Sequence, residues 1–206
     1  MQFSVGDKIV HPKLGAGEIT SEEHRKLLGD LDHYYVIKLL VHESILYIPV
    51  HKMDEVGVRP VMSRTKIARV LDTLRGVPRQ LSKDYRKRQE RIQEKLATAS
   101  PIPIAEAVRD LVGRKHSAKL TQKDEQLLNR GRELLAAEMA MATDVQVFDA
   151  CEEIDAALEV ALESECDEPE RAQVAPAAPA SKKGALVPKL FGKVKRSILK
   201  PQEAQD

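Results

Sequence analysis

The residues with the most chemical promise are the run Ser82-Lys83-Asp84-Tyr85-Arg86-Lys87-Arg88. Four cations there, Lys83, Arg86, Lys87 and Arg88, surround one aromatic ring, Tyr85. Ammonium and guanidinium groups hold phosphate oxygens through charge and N–H donors, and a flat ring can stack on a base or wedge between two. The run therefore suits a nucleic-acid strand, gripped by its phosphates and disturbed in its stacking. No base-reading pattern accompanies it, so sequence-tolerant contact is expected. Two plainer readings stand beside this one: a basic helix is often only a solvated face, and a lone tyrosine often packs between helices.

Bond-making chemistry finds little support. No G-x-x-x-x-G-K-[ST], H-E-x-x-H or G-x-S-x-G occurs. His11, His24, His33, His42, His51 and His116 show no metal-ligand spacing, and Cys151 and Cys166 form no C-x-x-C pair. The expectation is a protein that is not an enzyme, with no metal, cofactor or small-molecule substrate. The opening residues lack a basic leader followed by an apolar stretch, and no uncharged run approaches the ~18 residues of a membrane span. A cytoplasmic protein without a membrane role, acting as a monomer, is expected.

The net charge of +1 hides a strong segregation along the 206 residues. Residues 1–56 hold six Lys/Arg and nine Asp/Glu, whereas residues 59–95 hold twelve bases and four acids. Residues 143–170 carry eleven acids and no Lys or Arg, and residues 182–200 carry seven bases and no acid. The 59–95 block suits a phosphate backbone; the acidic N-terminal block suits a protein partner better.

These blocks coincide with changes of element type. Lys8-Ile9-Val10, Glu18-Ile19-Thr20, Tyr34 to Leu40 and Ile45 to Val50 are short β-branched and aromatic runs, separated by Gly, Pro and Asp turns. They predict a small β-barrel, which holds four of the seven aromatics (Phe3, Tyr34, Tyr35 and Tyr47). Beyond residue 61 the apolar spacing turns helical. Ser63 caps a helix stopped by Gly76, Ser82 a second running to about Ala97, and a third ends near Gly113 after the interruptions of Pro101 and Pro103. Thr121 to Asp124 reads as a capping box opening a long fourth helix, and residues 145–163 supply a fifth. The reading is thus α+β. A barrel over 1–58 precedes an all-α domain of about five helices over 61–163, and 164–206 form a linker and basic tail without a fixed fold. The tail bases accompany Leu186, Val187, Leu190, Phe191, Val194, Ile198 and Leu199, so a short amphipathic helix is open to it.

Gly6-Asp7-Lys8-Ile9-Val10-His11-Pro12-Lys13-Leu14-Gly15-Ala16-Gly17 resembles the opening motif of the CarD/CdnL family of bacterial transcription regulators. The same module occurs in the transcription-repair coupling factor. Val56-Gly57-Val58-Arg59 resembles the family's exit from its barrel, and Leu81 to Arg88 followed by Glu94-Lys95-Leu96 its DNA-facing helix. Ala105 to Leu111, Leu120-Thr121 and Arg132 to Leu135 are similar to its later helices. The ordered series covers about residues 1–163.

The resemblance implies a Tudor-like barrel that binds the β-subunit lobe of RNA polymerase, partly by extending a sheet edge. It implies a helical domain that contacts promoter DNA at the upstream edge of the bubble and prolongs the open complex. Tyr85 stands where the family has a tryptophan that enters the minor groove. Lys87 and Arg88 resemble family basic positions and become phosphate contacts, Arg86 adds charge to this DNA-binding run, and Glu90 stands where a base is common. On the polymerase side, Arg25 resembles a family contact, Tyr47 occupies a position where an arginine often serves, and Leu14 replaces a common histidine. Two other readings remain open at this stage: a polymerase adaptor that does not touch DNA, and a non-specific nucleoid-type DNA binder.

Overall fold

The opening turns form around polar side chains that satisfy their own backbone. Asp7 accepts from the Ser4 N–H at 2.8 Å, and Gly6 takes a positive φ of 93°. His11 Nδ1 accepts from the N–H groups of Lys13 and Leu14, each at 3.1 Å, which closes the next turn. Burial, aided by the charge of Lys13, lowers the pKa of this imidazole, consistent with its role as an acceptor. Gly15, again at φ 93°, then reverses the chain.

A computed structural model describes residues 3–26, 31–41, 44–98 and 100–166. Of the expected linker and basic tail, residues 164–166 belong to the last helix, and the rest lies outside the described residues. The strands are β1 (Lys8–His11), β2 (Gly15–Lys26), β3 (Leu31–Leu39), β4 (Ile45–Pro49) and β5 (Arg59–Pro60). They form one antiparallel sheet in the order β4-β3-β2-β1-β5. The register slips between Ile19 and Ser21, and the hydroxyl of the extra residue, Thr20, donates to the Val36 carbonyl at 3.1 Å. Such a bulge increases the local twist. One face buries Ile9, Ile19, Tyr35, Ile37, Leu39 and Ile48 with Phe3, Met53 and Val58. Tyr35 reaches this core because its hydroxyl donates to the Phe3 carbonyl at 2.6 Å.

A short α1 (Met53–Val56) leads to β5, and five longer helices follow. They are α2 (Arg64–Arg75), α3 (Tyr85–Ala97), α4 (Pro101–Ser117), α5 (Gln122–Thr143) and α6 (Val147–Cys166). Their apolar faces meet in a core built around Val70, Leu74, Ile92, Leu111, Leu135 and Ile154. No described helix is long and apolar enough to cross a membrane.

Three expectations about boundaries need correction. The cap of α3 is Asp84, whose carboxylate accepts from the Arg86 N–H at 2.9 Å; Ser82 instead accepts from the Asp84 N–H at 3.2 Å. Pro101 and Pro103 do not interrupt a helix but open α4, where the missing N–H groups have no intrahelical partner to lose. Gly113 does not end α4, which continues to Ser117; it is a contact glycine, since a Cβ there would lie 2.3 Å from Pro78 Cβ.

Sheet and helices pack into one unit through α5. Alternation along β1 and β2 turns Val10 and Ala16 away from the barrel core and onto Ala137 and Met141. Polar bolts surround this contact. Arg59 Nη2 donates to Glu138 Oε2 at 2.8 Å, and the same buried carboxylate accepts from the Met62 N–H at 2.9 Å. Lys8 donates to the Met141 carbonyl at 2.9 Å and pairs with Asp144, and Arg130 donates to the Lys13 carbonyl.

Candidate nucleic-acid and protein interfaces

The first turn of α3 presents Tyr85, Arg86 and Lys87 to solvent, with Tyr85 50% exposed. Tyr85 is therefore not a packing residue between helices. Arg86 Nε donates to its hydroxyl at 3.1 Å, and the guanidinium carbon lies 5.6 Å from the ring centroid. The side chain most able to restrict the ring is thus its own cationic neighbour. Beyond the Asp84 cap, no acid occupies this first turn. Helix N-termini favour negative charge, so cations there oppose the helix dipole, at a typical cost of about 0.3–1 kcal/mol each. The arrangement becomes favourable when phosphates occupy the turn, because the dipole and the side chains then act in the same direction.

Arg88 corrects the sequence expectation. It is 3% exposed, so it cannot reach a DNA phosphate from this position. Its Nε and Nη2 donate to Asp124 at 3.3 and 2.7 Å, while Nη1 donates to the carbonyls of Ser82 and Lys83 at 2.8 and 3.4 Å. One guanidinium therefore ties the segment before α3 to the start of α5. Asp124 is shared between this tie and the Thr121 capping box, in which each residue's side chain accepts from the other's N–H. Burial alone would raise the Asp124 pKa, but hydrogen bonds from Arg88 and Thr121 outweigh it and bring it to about 2. Gln89 completes the cluster, donating to Thr121 Oγ1 at 3.0 Å.

A second buried pair holds the other end of the same segment. Asp110 Oδ1 accepts from the Arg79 N–H at 3.0 Å and from Arg109 Nη2 at 2.6 Å, and Arg109 Nη1 donates to the Thr73 carbonyl at 3.2 Å. Tyr85 thus follows a non-helical stretch braced near both ends by a buried arginine–aspartate pair. Asp110 and Asp124 were absent from the sequence-derived site. The capping box marked Asp124, but nothing local announced its pairing with Arg88 or the bond from the Arg79 N–H to Asp110.

On the sheet, the structure brings Arg25 and Tyr47 together. The Arg25 guanidinium carbon lies 5.0 Å from the Tyr47 ring centroid, and Arg25 Nε is 2.6 Å from Glu23 Oε2. Tyr47 belongs to β4, the terminal strand of the sheet, and Ile45 at the start of that strand is 61% exposed. A terminal strand bearing an exposed apolar residue offers backbone hydrogen bonds and contact area to another chain. Among the described residues, no group of three or more His, Cys, Asp or Glu could hold a metal ion.

Comparison with known proteins matches both halves. Residues 3–62 match the CarD-like/TRCF RID domain, and residues 69–155 match the CarD C-terminal domain. A Bacillus subtilis (strain 168) protein named "Putative transcription factor YdeB" is 27% identical over 137 residues, covering 66% of this chain and 90% of that protein. Both domain matches fall in the family's order and on the two structural parts described above, so the chain belongs to the CarD-like family of transcription regulators.

Proposed function

We propose that the protein anchors to RNA polymerase through its sheet and contacts promoter DNA through the first turn of α3, slowing collapse of the open complex. The observation that carries this reading is the exposed Tyr85 flanked by Arg86 and Lys87 at the start of α3, where the Asp84 cap is the one acid. The match of residues 3–62 to an RNA polymerase-interacting domain supports the anchor, with Arg25 and Tyr47 as contact residues and β4 as the edge offered to the β subunit. No bond is made or broken. A protein that binds open DNA better than closed DNA shifts the equilibrium by that difference alone. Anchoring raises the local concentration of the helices at one DNA locus, so weak contacts with minor groove and phosphates suffice.

Loss of one aromatic–base stack is worth about 1–3 kcal/mol, which is roughly a 5- to 150-fold change in an equilibrium. Tyr85→Ala should leave polymerase co-purification intact and shorten open-complex lifetime within that range. An unchanged lifetime in a promoter-dissociation assay rejects the wedge. A mobility shift on upstream-fork DNA, with and without polymerase, separates this mechanism from an adaptor that never touches DNA.

A further inference from the structure

The segment between α2 and α3 crosses the C-terminal half of α4, and Gly113 lets it approach closely beside Pro78. A cleft of about 620 Å³ lies along this crossing, lined by Arg79, Lys83, Arg114, Ser117 and neighbouring residues. Three cations line it and no carboxylate does. Of the nearby acids, Asp84 caps α3, and Glu106 feels the charge of Arg79 as well as that of its main partner Lys95. Asp110 takes Arg109 and the Arg79 N–H, and Glu106 is held by Lys95 at 3.0 Å, a hydrogen bond that lowers its pKa despite partial burial. Arg114 Nε is buried without a hydrogen-bond partner. Arg114 as a whole is only partly buried, and it is among the residues that line the cleft.

Position links the cleft to α3. Lys83 lies two residues before Tyr85, whereas Lys87 lines a separate groove of about 430 Å³ that includes Glu90 and Glu94. Gln80 and Leu81 line both, so they form the ridge between them. The acid-free side is the Arg79–Lys83–Arg114 side.

We infer that this cleft binds phosphodiester groups of the DNA strand passing Tyr85, a second phosphate site beyond the first turn of α3. The inference rests on the reading that α3 meets DNA. Phosphate chemistry could also come from a free oligophosphate, and the experiment separates the two sources.

The full-length chain is titrated with upstream-fork DNA over a salt series, as wild type, Lys87→Gln, Arg114→Gln and the double variant Arg79→Gln/Lys83→Gln. Arg79 and Lys83 are exposed, so the double variant keeps the test valid if Arg114→Gln fails to fold. Each lost phosphate contact should flatten the slope of log K against log salt by about one. Raising salt fourfold should then weaken binding about 3- to 4-fold less per lost contact. Inorganic tripolyphosphate alone should show no saturable binding that depends on Arg114. If Lys87→Gln flattens the slope and neither cleft variant does, the cleft assignment falls and the α3 reading stands. If none of the variants changes the slope, both fall. Arg114-dependent binding of tripolyphosphate with an unchanged DNA slope also overturns the assignment.

Discussion

Replacing Arg88 tests whether a cation in the basic run serves the fold or the DNA. Its side chain is 2% exposed and that of Asp124 is 0%, so removing one leaves the other buried without its main counter-charge. Breaking such a pair typically costs about 3–5 kcal/mol. In a domain of this size each kcal/mol moves Tm by about 2–4 °C, so Arg88→Met should melt roughly 6–20 °C below wild type. The acid limb supplies an independent check. In wild type the Asp124 pKa lies at about 2, against 3.8 for the free carboxyl. A folded-state pKa below the unfolded value gives stability that is present above pH ~4 and lost as pH falls through ~2, about 2 kcal/mol in all. Without Arg88, its hydrogen bonds and charge no longer lower the Asp124 pKa, so this contribution should shrink. Urea titrations at neutral and acid pH on Arg88→Met, Asp124→Asn and the double variant give both quantities and the coupling energy between them. Arg88→Lys retains the charge but loses the fork, and should be destabilised while keeping the wild-type salt slope on fork DNA. A Tm within 2 °C of wild type together with a flatter salt slope would show Arg88 to be the phosphate contact suggested by its sequence position.

Other consequences are open to simpler assays. Gly113→Ala should destabilise by about 1–3 kcal/mol, although alanine is the better helix former by about 1 kcal/mol, because the new Cβ collides with Pro78; a stabilised variant in thermal melts would reject the contact. Glu138→Gln should cost about 1–3 kcal/mol in urea titration by weakening its bonds with Arg59 and the Met62 N–H, and an unchanged midpoint would remove it from the junction. Arg25→Ala and Tyr47→Ala should each weaken capture of core polymerase while leaving DNA binding by the free protein intact; equal retention of polymerase by both variants would displace the proposed contact from this part of the sheet.

Much of this architecture was legible in the residues because its causes are local. The β-branched and aromatic runs of Lys8 to Val10 and Tyr34 to Leu40 specify strands. The Thr121–Asp124 capping box depends on groups three residues apart, and it opens α5 where expected. The candidate site was legible only in part. Tyr85, Arg86 and Lys87 stand exposed, as their density suggested, but Arg88 in the same run is turned inward by a carboxylate 36 residues away. Counting charges cannot separate these cases, because burial of a cation is decided by its partner and by the depth of the contact. Gly113 makes the same point. Glycine followed by a polar stretch reads as a helix end, yet here the missing side chain makes room for Pro78, 35 positions earlier in the chain.

The sequence by itself determined the element types, the segregation of charge and the family, since each rests on neighbouring residues or on motif order. Tertiary structure alone decided which cations face solvent, which carboxylates brace the approach to Tyr85, and that Arg79, Lys83 and Arg114 line one cleft. Those outcomes depend on side chains distant in sequence meeting in space, where exclusion of water makes an unpaired charge costly and a paired one fixed in place.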